Sequence, residues 1–165
     1  MIPISIPYVA KNQIKYVNDC LERNWISAFG KYDELLCSNF SKFIGAEFAS
    51  SCSNGTVALH LALLGCGVGS NDEVILPNFN CPYALFAVSY VNAKPVLIDV
   101  NENWDINLKD LENSISEHTK AIIIPHLYGI PSKIKHIIDF CKENNIYIIE
   151  DCAEAHGAKE GDLYV

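Results

Sequence analysis

No run of apolar residues in this chain is long enough to cross a bilayer, although half of its 165 residues are hydrophobic, so a helical membrane span is excluded. Met1-Ile2-Pro3-Ile4 lacks a basic stretch leading into an apolar run, and no signal peptide is expected. Positive charge is scarce. Twelve Lys and Arg against twenty Asp and Glu leave a net charge of −8, which disfavours nucleic-acid binding through a basic surface but leaves room for a local anion site. The seven cysteines, Cys20, Cys37, Cys52, Cys66, Cys81, Cys141 and Cys152, contain no C-x-x-C pair. A zinc site is therefore not expected, and the thiols suit small core residues in a reducing cytoplasm. Repeats and low-complexity linkers are missing, so one core is expected. With no G-x-S-x-G nucleophile motif, Asp151 and His156 do not make a hydrolase.

What is present is an alternation of apolar patterns. Helical spacing predicts helices over Lys11–Arg23, with Val9, Ile14, Val17 and Leu21 as its apolar positions, and over Tyr32–Ile44. Between them Asn24-Trp25-Ile26-Ser27-Ala28-Phe29-Gly30 is a loop whose large residues either pack or line a pocket. Short strands are predicted at Glu47–Cys52, Glu73–Leu76, Lys94–Asp99, Lys120–Pro125 and Ile146–Glu150. Helices are predicted at Val57–Leu64, Pro82–Val91, Leu108–Ile115 and Ser132–Glu143. Strands separated by single helices imply right-handed crossovers and a mainly parallel sheet, an α/β three-layer sandwich. Leu163-Tyr164-Val165 stands where another strand would start, so the C-terminus reads as cut.

Three stretches bear on chemistry. Asp151 closes an apolar strand at Glu150-Asp151-Cys152-Ala153, the end at which open α/β sheets bind ligands. A carboxylate there needs a cationic or proton-bearing partner, or solvent, or a role as a helix cap. Ser53-Asn54-Gly55-Thr56 precedes a helix. It is either a plain capped turn or a phosphate site built from glycine and helix N–H groups. Pro77-Asn78-Phe79-Asn80-Cys81-Pro82-Tyr83 either walls a pocket or fills core. Gly65-Cys66-Gly67-Val68-Gly69 follows a helix and lacks G-x-G-x-x-G spacing, so it is a helix C-cap and turn rather than a dinucleotide loop. His126 and His156 are read as satisfied structural histidines rather than metal ligands.

Taken in order, Ser53-Asn54-Gly55-Thr56-Val57-Ala58-Leu59, Asp72 to Pro77, Ala93 to Asp99, Pro125-His126-Leu127-Tyr128-Gly129 and Glu150 to Ala158 resemble the DegT/DnrJ/EryC1/StrS sugar aminotransferases. Ile2-Pro3, Trp25-Ile26-Ser27 and Gly30-Lys31-Tyr32 fit as well. Within that family, the Glu150 to Ala155 run is most similar to GDP-perosamine synthases. The resemblance implies that residues 1–165 are the N-terminal part of the large domain of a fold-type I pyridoxal-phosphate enzyme, without its small domain. It implies that Gly55 and Thr56 hold the cofactor phosphate, Asp151 pairs with the pyridine nitrogen, Glu154 lies near the ring hydroxyl, and Ser27 lines the substrate cleft. Cys81 stands where the family has an aromatic stacked on the cofactor, a face that Tyr83 or Phe79 would then supply.

The implied reaction moves an amino group from glutamate to a keto-sugar nucleotide, for example GDP-4-keto-6-deoxymannose. Its setting is cytoplasmic O-antigen or other surface-polysaccharide biosynthesis, in a homodimer. The family's Schiff-base lysine falls beyond Val165, so the catalytic residue is unassigned and the isolated chain is expected to be inactive. Lys159 is not given that role. A family dehydratase with histidine in place of the lysine, and a non-catalytic binding or regulatory relative, are the other readings.

Overall fold

The computed structural model describes every residue except Ile4, Ser5 and Phe29, and for Leu163 only the backbone. The chain divides into two units, Met1–Ser51 and Cys52–Val165.

The first unit holds α1 (Lys11–Glu22) and α2 (Lys31–Ile44). At the start of α1 the Gln13 side chain accepts from the Ala10 N–H at 2.5 Å, a cap made from the third helical position. Helix α2 carries Asp33 and Glu34 in its first turn and Lys42 in its last, matching the helix dipole. It stops at Gly45, whose φ of +74° continues the chain in a left-handed cap. Tyr16 of α1 and Tyr32 of α2 stack at 4.8 Å, and the Tyr32 hydroxyl donates to Asp19 at 3.0 Å. Neither helix has a buried residue.

The strand expected over Glu47–Cys52 does not form. Residues 47–52 are irregular and mostly exposed. A strand's backbone groups need a partner edge, and this stretch pairs with none of the strands among the described residues.

The second unit runs α3 (Gly55–Gly65), β1 (Glu73–Pro77), α4 (Tyr83–Tyr90), β2 (Lys94–Ile98), α5 (Leu108–Ser114), β3 (Thr119–Pro125), a 3-10 turn at Leu127–Gly129, α6 (Lys135–Glu143), β4 (Tyr147–Asp151), and the short strands β5 (Lys159–Glu160) and β6 (Leu163–Tyr164). The first four strands form a parallel sheet in the order β2-β1-β3-β4. Strand periodicity sends successive side chains to opposite faces. Val74, Leu76, Ala121, Ile123 and Ile149 meet Leu59 and Leu63 of α3 and Ala84, Ala87 and Val88 of α4. Ile75, Ile98, Ile122 and Ile124 meet Leu111 of α5 and Ile137 and Cys141 of α6. The result is the expected three-layer α/β sandwich. Strands β5 and β6 make a separate antiparallel hairpin, so the expected strand at Leu163 has its partner in Lys159–Glu160.

Two helix starts differ from expectation by more than one residue. Helix α3 begins at Gly55, which puts Gly55 and Thr56 in its first turn. Helix α6 begins at Lys135 rather than Ser132. Ser132 is held in a different backbone path: its hydroxyl donates to the Pro125 carbonyl at 2.8 Å and its amide to His126 Nδ1 at 3.0 Å. Among the described residues no helix is long and apolar enough to cross a membrane.

Candidate functional site

In the strand order β2-β1-β3-β4, the chain steps to one side of β1 and then to the other. The crevice outside the carboxyl ends of β1 and β3 is the switch point at which such sheets take ligands. The links after β1, β2, β3 and β4 bring Asn78 to Cys81, Asp99 to Asp105, His126 to Ser132 and Asp151 to Glu154 to this edge.

Helix α3 faces the same edge. The link 66–72 carries the chain from the end of α3 to the start of β1, so the N-terminus of α3 lies toward the carboxyl ends of the strands. Asn54 caps it, its Oδ1 accepting from the Val57 N–H at 3.0 Å. The first intrahelical amide bond is Ala58 N–H to the Asn54 carbonyl. The N–H groups of Gly55 and Thr56 therefore have no helical acceptor and present the positive end of the helix. A Cβ on Gly55 would meet nothing within 4 Å. The protein's own packing does not require glycine there, and the space in front is open for a ligand.

Asp151 is the last residue of β4, in register with Pro125 of β3. Ile149 packs in the α3/α4 layer and Ile148 against the α5/α6 layer, so alternation places Asp151 on the α3 side and Glu150 on the other. The carboxylate is half-buried, and its Oδ1 accepts from the Ala153 amide at 3.2 Å. Among the described residues it makes no ion pair. A partly desolvated carboxylate without a cation is suited to a cationic ligand group. Glu154 sits in the following turn, where its Oε2 accepts from the Tyr128 amide at 2.8 Å. A helix end with open N–H groups and a carboxylate without an ion pair lie on one sheet face, the kinds of group that the phosphate and the ring nitrogen of pyridoxal phosphate would need.

The opposite face of β4 carries a network that periodicity cannot show. His126 is buried. Its Nδ1 accepts the Ser132 amide, which puts the ring proton on Nε2, and Nε2 donates to Glu150 Oε2 at 2.9 Å. The His126 amide donates to the Asp151 carbonyl at 3.0 Å. This is a satisfied structural histidine, as expected, and it ties the ends of β3 and β4 together beside Asp151. His126, Glu150 and Cys152 bring ligand atoms within 4.8 Å of one another. A metal there would have to displace two protons, the one on the His126 nitrogen that faces Glu150 and that of the Cys152 thiol, which burial, reinforced by Glu150 and Asp151, pushes up to about 11.

Cys81 is exposed, and its amide donates to Asn80 Oδ1 at 2.6 Å. Phe79 packs on Trp104, with ring centroids 5.8 Å apart, and so is engaged elsewhere; Tyr83 opens α4 with an exposed ring. Asn80 Nδ2, in the stretch read as a pocket wall or core filler, is buried without a partner among the described residues. Lys159 lies in β5 with its ammonium 4.3 Å from the centre of the Tyr164 ring.

Ser27 belongs to the first unit and is exposed. Its loop neighbours Trp25 and Gly30 line a cavity of about 230 Å³ with Asp19, Cys20, Arg23, Lys31 and Tyr32. Ser27 is not in that lining, and Phe29 lies outside the described residues. Hydrogen bonds from Arg23 and then Tyr32 hold the Asp19 carboxyl below its usual range. A Cβ on Gly30 would fall 2.1 Å from Trp25 Nε1, so this glycine is what lets the indole lie against the backbone.

The sequence profile of the DegT/DnrJ/EryC1/StrS aminotransferase family matches residues 7–165. GDP-perosamine synthase of Escherichia coli O157:H7 is 41% identical over 165 residues, covering 99% of this chain and 45% of that protein. Among solved structures, an aminotransferase from Psychrobacter cryohalolentis superposes with a TM-score of 0.92 at 30% identity, over 99% of this chain and 42% of the other. A Streptococcus pneumoniae protein assigned as a sugar aminotransferase, solved in its PLP form, gives 0.88 at 26% identity, over 99% of this chain and 47% of the other. The chain thus spans a little under half the length of the relatives it matches.

Proposed function

Because this chain belongs to the DegT/DnrJ/EryC1/StrS aminotransferase family, we propose that it forms the cofactor-holding part of a pyridoxal-phosphate-dependent sugar-nucleotide transaminase. The observation that carries this reading is the half-buried Asp151, without an ion-pair partner among the described residues, on the same sheet face as the open N-terminus of α3. The N–H groups of Gly55 and Thr56, with the Thr56 hydroxyl, bind the cofactor phosphate. Asp151 holds a proton on the ring nitrogen by charge pairing. Glu154, fixed by the Tyr128 amide, lies toward the ring hydroxyl. Bound there, pyridoxal phosphate supplies an electron sink that works while its ring nitrogen stays cationic.

The amino donor in this reading is glutamate, and the acceptor is a GDP-linked keto-sugar such as GDP-4-keto-6-deoxymannose. Similarity to GDP-perosamine synthase supports that choice. Ser27 serves the substrate cleft. The enzyme works as a cytoplasmic homodimer, residues 1–165 being the N-terminal portion of its large domain. The seven free thiols suit that compartment.

The test is glutamate-dependent amino transfer to GDP-4-keto-6-deoxymannose by the protein carrying the further length found in its relatives. Amino-sugar formation is expected, with a loss of at least about a hundredfold in Asp151→Asn, because an amide cannot hold the ring proton by charge. Near-normal turnover in that variant contradicts the assignment.

A further inference from the structure

Three aromatic rings from three different loops meet at the carboxyl edge of the sheet. Phe79 follows β1, Trp104 follows β2 and Tyr128 follows β3. Phe79 and Trp104 lie 5.8 Å apart at 45°, and Trp104 and Tyr128 lie 5.6 Å apart at 65°. Rings that only filled core would be hidden. These are 40%, 46% and 65% exposed.

The rings are also held in place. Asn101 Oδ1 accepts from the amides of Asn103 and Asp105 at 2.8 and 3.1 Å, and the Trp104 amide donates to the Asn101 carbonyl. Asp105 Oδ1 accepts the Lys133 amide at 3.1 Å, tying this loop to the segment before α6. Trp104 and Tyr128 both have left-handed backbones, with φ of +66° and +53°. Bulky residues keep that conformation only where the surroundings impose it, and such strain gathers at binding sites. The Trp104 loop carries the carboxylates of Asp99, Glu102 and Asp105, and Lys133 is tied to it through its amide. Asp99 accepts from Asn78 Nδ2 at 2.5 Å, and Glu154 accepts from the amide of Tyr128 itself. The row of rings therefore starts at Tyr128, whose amide fixes Glu154, and continues through Trp104 to Phe79.

Building on the proposed function, we infer that Phe79, Trp104 and Tyr128 form the stacking site for the nucleobase of the sugar-nucleotide substrate, and that the carboxylates of these loops make it a guanine site. Aromatic rings take the face of any unpaired base. The edge contact makes the choice. Guanine presents two adjacent N–H donors, from its ring and its amino group, to a group that can only accept, which is what an ionised carboxylate is. Adenine and uracil place an acceptor next to their donor, and a carboxylate repels it.

The chain has two tryptophans, so Trp25→Phe leaves Trp104 as the sole indole. Titration of this 165-residue variant with GMP, exciting the indole alone, is expected to give saturable quenching. Ribose 5-phosphate, which lacks a base, is expected to give none, and AMP and UMP should bind at least about tenfold more weakly. Phe79→Ala and Tyr128→Ala, both changes of exposed side chains, should each weaken GMP by about tenfold, the worth of one stacking ring. Absent quenching by GMP, equal binding of AMP, or unchanged binding in both ring variants overturns the site. The readout does not depend on amino transfer. Failed GMP binding beside a working transaminase sinks this site alone, and saturable GMP binding supports it even where transamination fails.

Discussion

The two units of this chain treat their apolar residues in opposite ways. In Cys52–Val165, Val74, Ile75, Ile122 and Ile123 are fully shielded between two helical layers. In Met1–Ser51 the apolar positions of α1 and α2, among them Ile14, Val17, Leu21, Leu35 and Leu36, stay exposed although their helical spacing is regular. The same kind of sequence signal therefore has two outcomes. A sheet supplies two faces that helices can cover within one stretch of chain, whereas two helices alone leave most of their stripes bare. The sheet holds Asp151, Glu154 and the α3 N-terminus to a frame set by strand register, while the loop with Ser27 hangs between two helices that bury nothing.

The largest expected effect separates the units directly. Ile123→Ala removes a fully buried side chain from the sheet and should cost about 2–5 kcal/mol in denaturant unfolding. Leu21→Ala, on the bare stripe of α1, should cost less than about 1 kcal/mol. Equal costs would erase the distinction between the units. Next in size is a pH effect confined to the second unit. Burial pushes the thiols of Cys141 and Cys152 up to about 11. Both values are raised, so the unfolded chain loses these protons first. Their contribution is complete below about pH 9 and is lost progressively as pH rises to about 11. Unfolding midpoints measured across that window should fall, and Cys141→Ala should flatten the fall. The smallest effect belongs to the first unit. Gly30→Ala forces the Trp25 indole off the backbone. With Trp104→Phe as background, the emission of Trp25 should shift at a cost of about 1 kcal/mol, and the unfolding midpoint of the second unit should stay where it was.

How much of this was legible in the residues depended on distance along the chain. The parallel sheet and its helices follow from short apolar runs, and Ile146 to Glu150 falls within one residue of the observed β4. Asp151, Gly55 and Thr56 could be singled out because each sits at the end of an element, where local pattern and position coincide. The strand expected at Glu47–Cys52 shows the limit: its composition suits a strand, but pairing depends on a neighbour that local pattern cannot supply. The His126–Glu150 bond was hidden for a related reason. It spans 24 positions and exists because β3 and β4 pair in one register, with Pro125 opposite Asp151. Phe79, Trp104 and Tyr128 come from three loops, and only the order β2-β1-β3-β4 brings them together. Ser132 reads as a helix start, since nothing near it announces that His126 and Pro125 hold it elsewhere.

The proposed pairing of Asp151 with a cofactor ring nitrogen can be read from the nitrogen-15 chemical shift of ring-labelled pyridoxal phosphate added to this chain, at a pH where the free cofactor's ring nitrogen has lost its proton. A pyridinium shift is expected with the native chain and an unprotonated pyridine shift with Asp151→Asn. A bound cofactor with the same ring-nitrogen shift in both proteins would contradict it.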